Sequence, residues 1–481
     1  MESGFRIIQG GMGVGVSNWA LAKSVAERGQ LGVVSGTGIA TVLARRLQQG
    51  DPDGHLRRAI KAFPFPDISA RIFDRYFIAG GIADSMPFKA TPVPVVNFSQ
   101  ALEGLTVLGA FTEVFLAKEG HIGKVGINLL EKVQTPTLAT LFGAMLAGVD
   151  YVLMGAGIPR HIPGALDLLA RWESASIRID VQGAQAAEAV LTEFAPLLFA
   201  GHDKAFAASA LPPAALQRPA FLAIVSSATL AMTLARKSNG RVDGFIIETA
   251  VAGGHNAPPR GPLQLTPEGE PVYGQRDTAD LAKIAAIGLP FYLAGGFATR
   301  RQLDWALAQG AAGIQIGTAF AFCRESGIRS ELKCQVIDLV RQGKAKVFTD
   351  PKASPTGFPF KVFQIEKSLS DSAIYAQRSR KCDLGYLRIA YSRPDGTVGY
   401  RCAAEPVDDY IAKGGTIEET IGRKCLCNAL FATVGLGQIS GGESEMPIVT
   451  AGDDVSELHR YIPNGETSYS SADVLDCILN D

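Results

Sequence analysis

Between Leu289 and Phe322, short apolar runs alternate with stretches of helical period. Phe291 to Ala294 is an apolar run stopped by Gly295-Gly296, the pattern of a strand buried on both faces. Thr299 can cap a helix in which Leu303, Ala306 and Leu307 recur at helical spacing. Ile314 to Ile316 repeats the buried-strand pattern, ends at Gly317, and is followed by Thr318 opening another helix. Both strand exits consist of small residues that leave backbone N–H groups and one hydroxyl exposed. Two roles are open for such turns. They hold a phosphate at strands seven and eight of an eight-stranded barrel, or they need glycine only for geometry.

The same pattern recurs upstream. Phe5 to Gln9 reads as a strand entering the glycine-rich turn Gly10–Ser17, and Ser17 or Asn18 caps a helix carrying Leu21, Ala22, Val25 and Ala26. The next strand, Leu31 to Val34, exits to Ser35-Gly36-Thr37 without the acidic residue of a dinucleotide fingerprint. These glycines therefore let a flat ring lie against the backbone, or form a tight turn and nothing more. Val125–Leu129 (with Asn128 near its exit), Tyr151–Gly157, Phe221–Val225 and Gly244–Glu248 complete the strands; Pro136 starts a helix through Leu146. The predicted fold class is α/β, a TIM (β/α)8 barrel over residues 1–343. It carries insertions at about 38–119 and 177–219 and a C-terminal extension, 344–481, packed on the barrel. The first insertion is expected to lie over the barrel with its Arg and Lys residues on a solvated face. The extension contains the rigid turn Ser354–Pro359 and a docked terminal element at Val474–Leu479.

Composition narrows the function. Of 481 residues, 47% are hydrophobic and 19% charged, enough for a large buried core. A net charge of −1 without a basic cluster argues against electrostatic binding of nucleic acid or anionic membrane. The apolar stretch Leu138–Ile158 is broken by Asp150, so no span is expected. No basic segment precedes the first apolar run, and seven cysteines form no small-scaffold framework; together these point to a cytoplasmic protein. Cys382, Cys402, Cys425 and Cys427 match no standard zinc spacing and no histidine joins them, so they read as packing thiols with no metal. Of the six histidines, only His255 lies just past a strand exit, beside Gly253-Gly254. That position suits a catalytic or substrate-orienting residue, against the simpler reading of a structural loop histidine.

Five segments in order resemble the nitronate monooxygenase family, formerly 2-nitropropane dioxygenases, of FMN-dependent barrels. They are Ile-Ile-Gln-Gly-Gly-Met-Gly (7–13), Gly-Ile-Asn (126–128), Ala-Gly-Gly-His (252–255), Ala-Gly-Gly-Phe (294–297) and Gly-Ile-Gln-Ile-Gly-Thr (313–318). The resemblance implies Gly11, Met12 and Asn128 beside the isoalloxazine, and Gly295, Gly296, Gln315, Gly317 and Thr318 at the FMN phosphate. It implies His255 as the catalytic residue near the flavin, with the Gly253 and Gly254 N–H groups close by. The leading expectation is an oxidoreductase that oxidises alkyl nitronates with O2 by way of the flavin, His255 serving as base for neutral nitroalkanes. The alternative is an enoyl-acyl-carrier-protein reductase with NAD(P)H as co-substrate, acting in trans, with His255 orienting the carbonyl and an acyl carrier protein as partner. A third reading is a non-catalytic flavin-binding scaffold subunit. Two departures leave the substrate open: Asn256-Ala257-Pro258-Pro259-Arg260 is longer and stiffer than the usual turn, and strand five ends without a lysine.

Overall fold

The computed structural model describes residues 4–184, 189–209 and 213–480, so parts of the second interruption (185–188 and 210–212) lie outside the described residues. Eight strands form one sheet: β1 (Ile7–Gln9), β2 (Gly32–Ser35), β3 (Val125–Leu130), β4 (Tyr151–Gly155), β5 (Ala220–Val225), β6 (Gly244–Glu248), β7 (Phe291–Ala294) and β8 (Gly313–Ile316). Every pair is parallel. A bridge between Ile8 and Leu31 joins β1 to the start of β2, so the ring closes as a TIM barrel.

Strand parity explains the continuous apolar runs. Ile8, Val33, Leu153, Leu222, Ile246 and Tyr292 fill the barrel interior, while alternate residues such as Ile7, Val34, Val152, Phe221 and Phe245 pack under the helices. Both faces are buried, so both must be apolar. Glu248 shares the inward parity of Ile246 at the C-terminal end of β6. The expected caps are in place: Asn18 accepts from the Leu21 N–H at 2.9 Å and Thr299 from that of Gln302 at 3.2 Å.

The first insertion divides. Helix Gln100–Lys118 packs between helices Trp19–Glu27 and Thr137–Leu146, making it the barrel's own crossover helix. Only residues before it, with helices Ile39–Gln48, His55–Ala62 and Pro66–Tyr76, are inserted. By length and composition Gln100–Lys118 could cross a membrane, but most of it is buried in the protein. The solvated-face expectation fails at Arg45, which is 3% exposed. Its guanidinium lies 5.3 Å from the Phe88 ring and 5.1 Å from the Phe431 ring, and donates to the Leu436 carbonyl at 2.6 Å. Apolar packing by the extension draws it inward.

In the extension, β9 (Val347–Asp350) pairs antiparallel with β10 (Phe360–Phe363). Strand Ile389–Ser392 pairs with Val398–Arg401 and with Val181–Gln182 of the second interruption. Helix Ser471–Leu479 docks on Trp19–Glu27 and Arg300–Ala308, as the terminal apolar run predicts. Because Arg45 ties the insertion to the extension, Arg45→Ala should cost about 2–3 kcal/mol, the worth of a charge-assisted hydrogen bond with its ring contacts. Urea unfolding reads this as a lower midpoint with an unchanged slope.

Candidate active site

The C-terminal ends of the strands open into a cavity of about 260 Å³. All eleven predicted positions line it: Gly11, Met12, Asn128, Gly253, Gly254, His255, Gly295, Gly296, Gln315, Gly317 and Thr318. At the β1 exit, the buried Gln9 amide holds the turn. Its Nε2 donates to Ser17 Oγ at 2.8 Å and its Oε1 accepts from the Val33 N–H at 2.9 Å. Ser17 Oγ in turn accepts from the Met12 N–H at 2.8 Å. Gly11 is required by packing, because a Cβ there would stand 2.2 Å from that of Asn128. Asn128 Nδ2 donates to the Gly11 carbonyl at 2.6 Å. Its Oδ1 is buried without a partner, as is Gln315 Oε1. Two unpaired buried amide oxygens at one mouth are suited to a ligand bearing N–H or O–H donors.

The β7 and β8 turns form the expected cradle of small residues. Gly295 and Gly296 have φ of 87° and 78°, and a Cβ on Gly295 would collide with Thr249 Oγ1 at 2.4 Å. The helix after Gly317 is a single turn, Thr318–Ala321, so its dipole is short and the N–H groups themselves would bind an anion. The Thr318 hydroxyl already accepts from the Gly452 N–H at 2.9 Å. Asp454 shares this corner, and burial raises its carboxyl above the ordinary range. The Gly254 N–H donates to Thr450 Oγ1 at 2.8 Å, which removes one donor expected to face a ligand.

His255 is pinned by the extension. Its Nε2 lies 2.7 Å from Ser354 Oγ, which lies 2.8 Å from Thr356 Oγ1. Phe360 meets the imidazole edge-on at 4.8 Å between ring centres. Burial depresses its pKa to about 4, so the ring is neutral at pH 7. Glu248, at the end of β6, lines the same cavity with its carboxyl raised to about 7 by burial. The roof comes from the extension and is largely apolar: Tyr386, Leu387, Leu430, Phe431 and Ile448. Sequence reading missed Glu248, Asp454, Ser354 and this roof. Glu248 alone carried a usable sign, as the one charge ending an apolar strand.

Fold and cavity define an α/β-barrel enzyme with a ligand site at the strand C-termini. Residues 205–343, which hold β5 to β8 and His255 and make up under a third of the chain, match the family model described as nitronate monooxygenase. No curated protein matches the chain in sequence. Among solved structures, FabK from Thermotoga maritima is 13% identical over 99% of this chain and 92% of its own, with a TM-score of 0.47. The enoyl reductase domain of MlnA, from the macrolactin biosynthesis cluster of Bacillus amyloliquefaciens, is 10% identical over 99% and 94%, with a TM-score of 0.46. Nitroalkane oxidase from Streptomyces ansochromogenes is 16% identical over 75% and 77%, at 0.38. At these scores none of the three bears on the chemistry.

A depressed histidine pKa links pH to stability. Between the unfolded value near 6.5 and the folded value of about 4, the unfolded chain binds the extra proton. His255 therefore favours the fold fully above pH 6.5, and that contribution is lost as pH falls toward 4. The loss should reach about 2–3 kcal/mol. Urea midpoints at pH 7 and pH 4.5 should draw closer together in His255→Gln than in the parent.

Proposed function

We propose that the protein is an FMN-dependent oxidoreductase that reduces a neutral, apolar-chained enoyl thioester with electrons from NAD(P)H. The observation that carries this reading is the cavity lining. Its roof is largely apolar; its ionisable groups are the carboxyls of Glu248 and Asp454, a neutral imidazole, and the Tyr386 phenol and Cys427 thiol that burial holds neutral, with no Lys or Arg among the described lining residues. Such a lining favours an uncharged substrate over an anionic nitronate, whose charge would be buried without a partner. The family match keeps nitronate oxidation as the second reading.

The chain's residues fit FMN. Gly11, Met12 and Asn128 would flank the ring, with Asn128 Oδ1 offered to a ring N–H. Gly295, Gly296, Gly317 and Thr318 would hold the phosphate, and Gln315 Oε1 would meet a ribityl hydroxyl. When bound, FMN supplies the electron transfer between donor and substrate. His255, neutral and fixed by Ser354, would donate one N–H to the thioester carbonyl and orient it; a pKa of about 4 makes it a weak base for a nitroalkane α-proton. Glu248, titrating near neutrality, would hold the proton exchanged with the substrate. The apolar roof would exclude water and take the acyl chain, delivered on an acyl carrier protein.

Anaerobic mixing tests the reaction. NADH or NADPH should bleach the yellow protein, and a short enoyl thioester should restore the colour; bleaching by a nitronate alone would overturn the reductase reading. His255→Ala should keep the fold and the flavin but lower turnover about 10²–10⁴-fold. Asp454 supplies a separate test of the phosphate site. As pH rises its carboxyl ionises and opposes the phosphate, so FMN should bind more weakly at higher pH. Asp454→Asn should flatten that dependence and tighten binding about tenfold, equivalent to roughly 1.4 kcal/mol. A fluorescence titration with FMN measures both.

A further inference from the structure

The turn that joins β9 to β10 carries a hydroxyl aimed at the histidine of the cavity. Ser354 is fully buried there, and its Oγ meets three groups: His255 Nε2 at 2.7 Å, Thr356 Oγ1 at 2.8 Å and the Thr356 N–H at 3.2 Å. The turn is fixed independently of the histidine. Asp350 accepts from the Lys352 and Ala353 N–H groups at 2.8 and 2.9 Å, and the Ser354 carbonyl accepts from Arg423 Nη1 at 2.6 Å. The Lys424 N–H donates to the Ala353 carbonyl at 2.8 Å. A hydroxyl held from so many sides has little freedom, and its single proton has only two acceptors within reach, Nε2 and Thr356 Oγ1.

The imidazole is neutral at pH 7 and so carries one N–H, on Nδ1 or on Nε2. Nε2 is taken by Ser354, whereas Nδ1 has no hydrogen-bond partner among the described residues. Because His255 lines the cavity, Nδ1 is the ring nitrogen left for a ligand. The position of the proton decides whether that ligand meets a donor or an acceptor. Two observations fix the choice. The Thr356 N–H can only donate, so it occupies one lone pair of Ser354 Oγ. The 2.7 Å to Nε2 is short for an N–H donor on oxygen, whose usual length is about 2.9–3.0 Å, and ordinary for a hydroxyl donor. Ser354 therefore donates to Nε2, and its second lone pair accepts from Thr356 Oγ1.

We propose that Ser354, backed by Thr356, is a positioning residue that holds His255 in its Nδ1–H form, so that the ring offers the substrate carbonyl a donor and no base. The identity of that carbonyl rests on the enoyl-thioester reading; the tautomer stands on the turn alone. Phe360, edge-on to the ring at 4.8 Å between centres, opposes the flip that would exchange the two nitrogens.

Nitrogen NMR of the full-length protein as purified, carrying isotope-labelled histidine at pH 7, reads the tautomer without turnover. The His255 signals, identified by their loss in His255→Gln, should show a pyrrole-type Nδ1 and a pyridine-type Nε2. In Ser354→Ala they should collapse toward an average of the two forms. Should the alanine variant fail to fold, Ser354→Cys keeps the volume with a weak donor and should show the same averaging. Turnover of an enoyl thioester with NADPH should fall about ten- to a hundredfold in Ser354→Ala, the worth of one buried hydrogen bond. A pyrrole-type Nε2 in the parent, or a parent pattern that survives loss of the Ser354 hydroxyl, would overturn the proposal. If the substrate reading alone fails, NADPH leaves the flavin oxidised while the tautomer pattern holds.

Discussion

The site depends on a short backbone clamp between the β6 exit and the extension. The Asn256 N–H donates to the Pro359 carbonyl and the Lys361 N–H to the Gly254 carbonyl, both at 2.9 Å, which bridges His255 to Phe360. Lys361, itself buried, reaches Asp453 at 2.7 Å and so fixes the segment that carries Asp454. The segment around β10 thus sets the position of the imidazole, its Ser354 partner and the carboxyl beside the β7 and β8 turns. A barrel supplies floor and turns, but its loops are free to wander unless something pairs with them. Here the pairing comes from a region about a hundred residues later in the chain.

That separation also marks what could be read from the sequence. The barrel was legible because β1 to β8 are largely apolar on both faces and most of them end in small residues, a pattern generated locally. Caps such as Thr299 and the glycine exits were legible for the same reason, and eleven candidate positions converge on one cavity. Helix Gln100–Lys118 was not, because it is buried on nearly every side and has no polar stripe to reveal its period. Arg45 was misjudged because a charge among basic neighbours looks solvated until Phe88 and Phe431, far apart in the chain, enclose it. The Ser354 contact spans 99 residues and the Thr41–Tyr386 contact 345; no local rule predicts such pairs. Cys382, Cys402 and Cys425 belong to the same class. Their spacing resembles no motif, and only the fold places them side by side.

The extension has a second effect, through solvent rather than contact. Glu248 and His255 are shifted in opposite senses, the carboxyl up to about 7 and the imidazole down to about 4, and burial is the dominant cause of each. Both shifts favour the neutral form, as expected where water is excluded and no opposite charge is supplied. In an open barrel mouth both groups would be hydrated, the carboxyl ionised at neutral pH and the imidazole titrating near 6.5, and the cavity would suit polar ligands. With Tyr386, Leu387, Leu430, Phe431 and Ile448 overhead, the same residues present a neutral hydrogen-bonding imidazole and a carboxyl able to exchange a proton near pH 7. The charge state of the cavity's groups is therefore set less by the barrel motifs than by the apolar roof. Barrels of similar strands and different roofs would leave the Glu248 carboxyl ionised and the histidine free to titrate near neutral pH, and so support different chemistry.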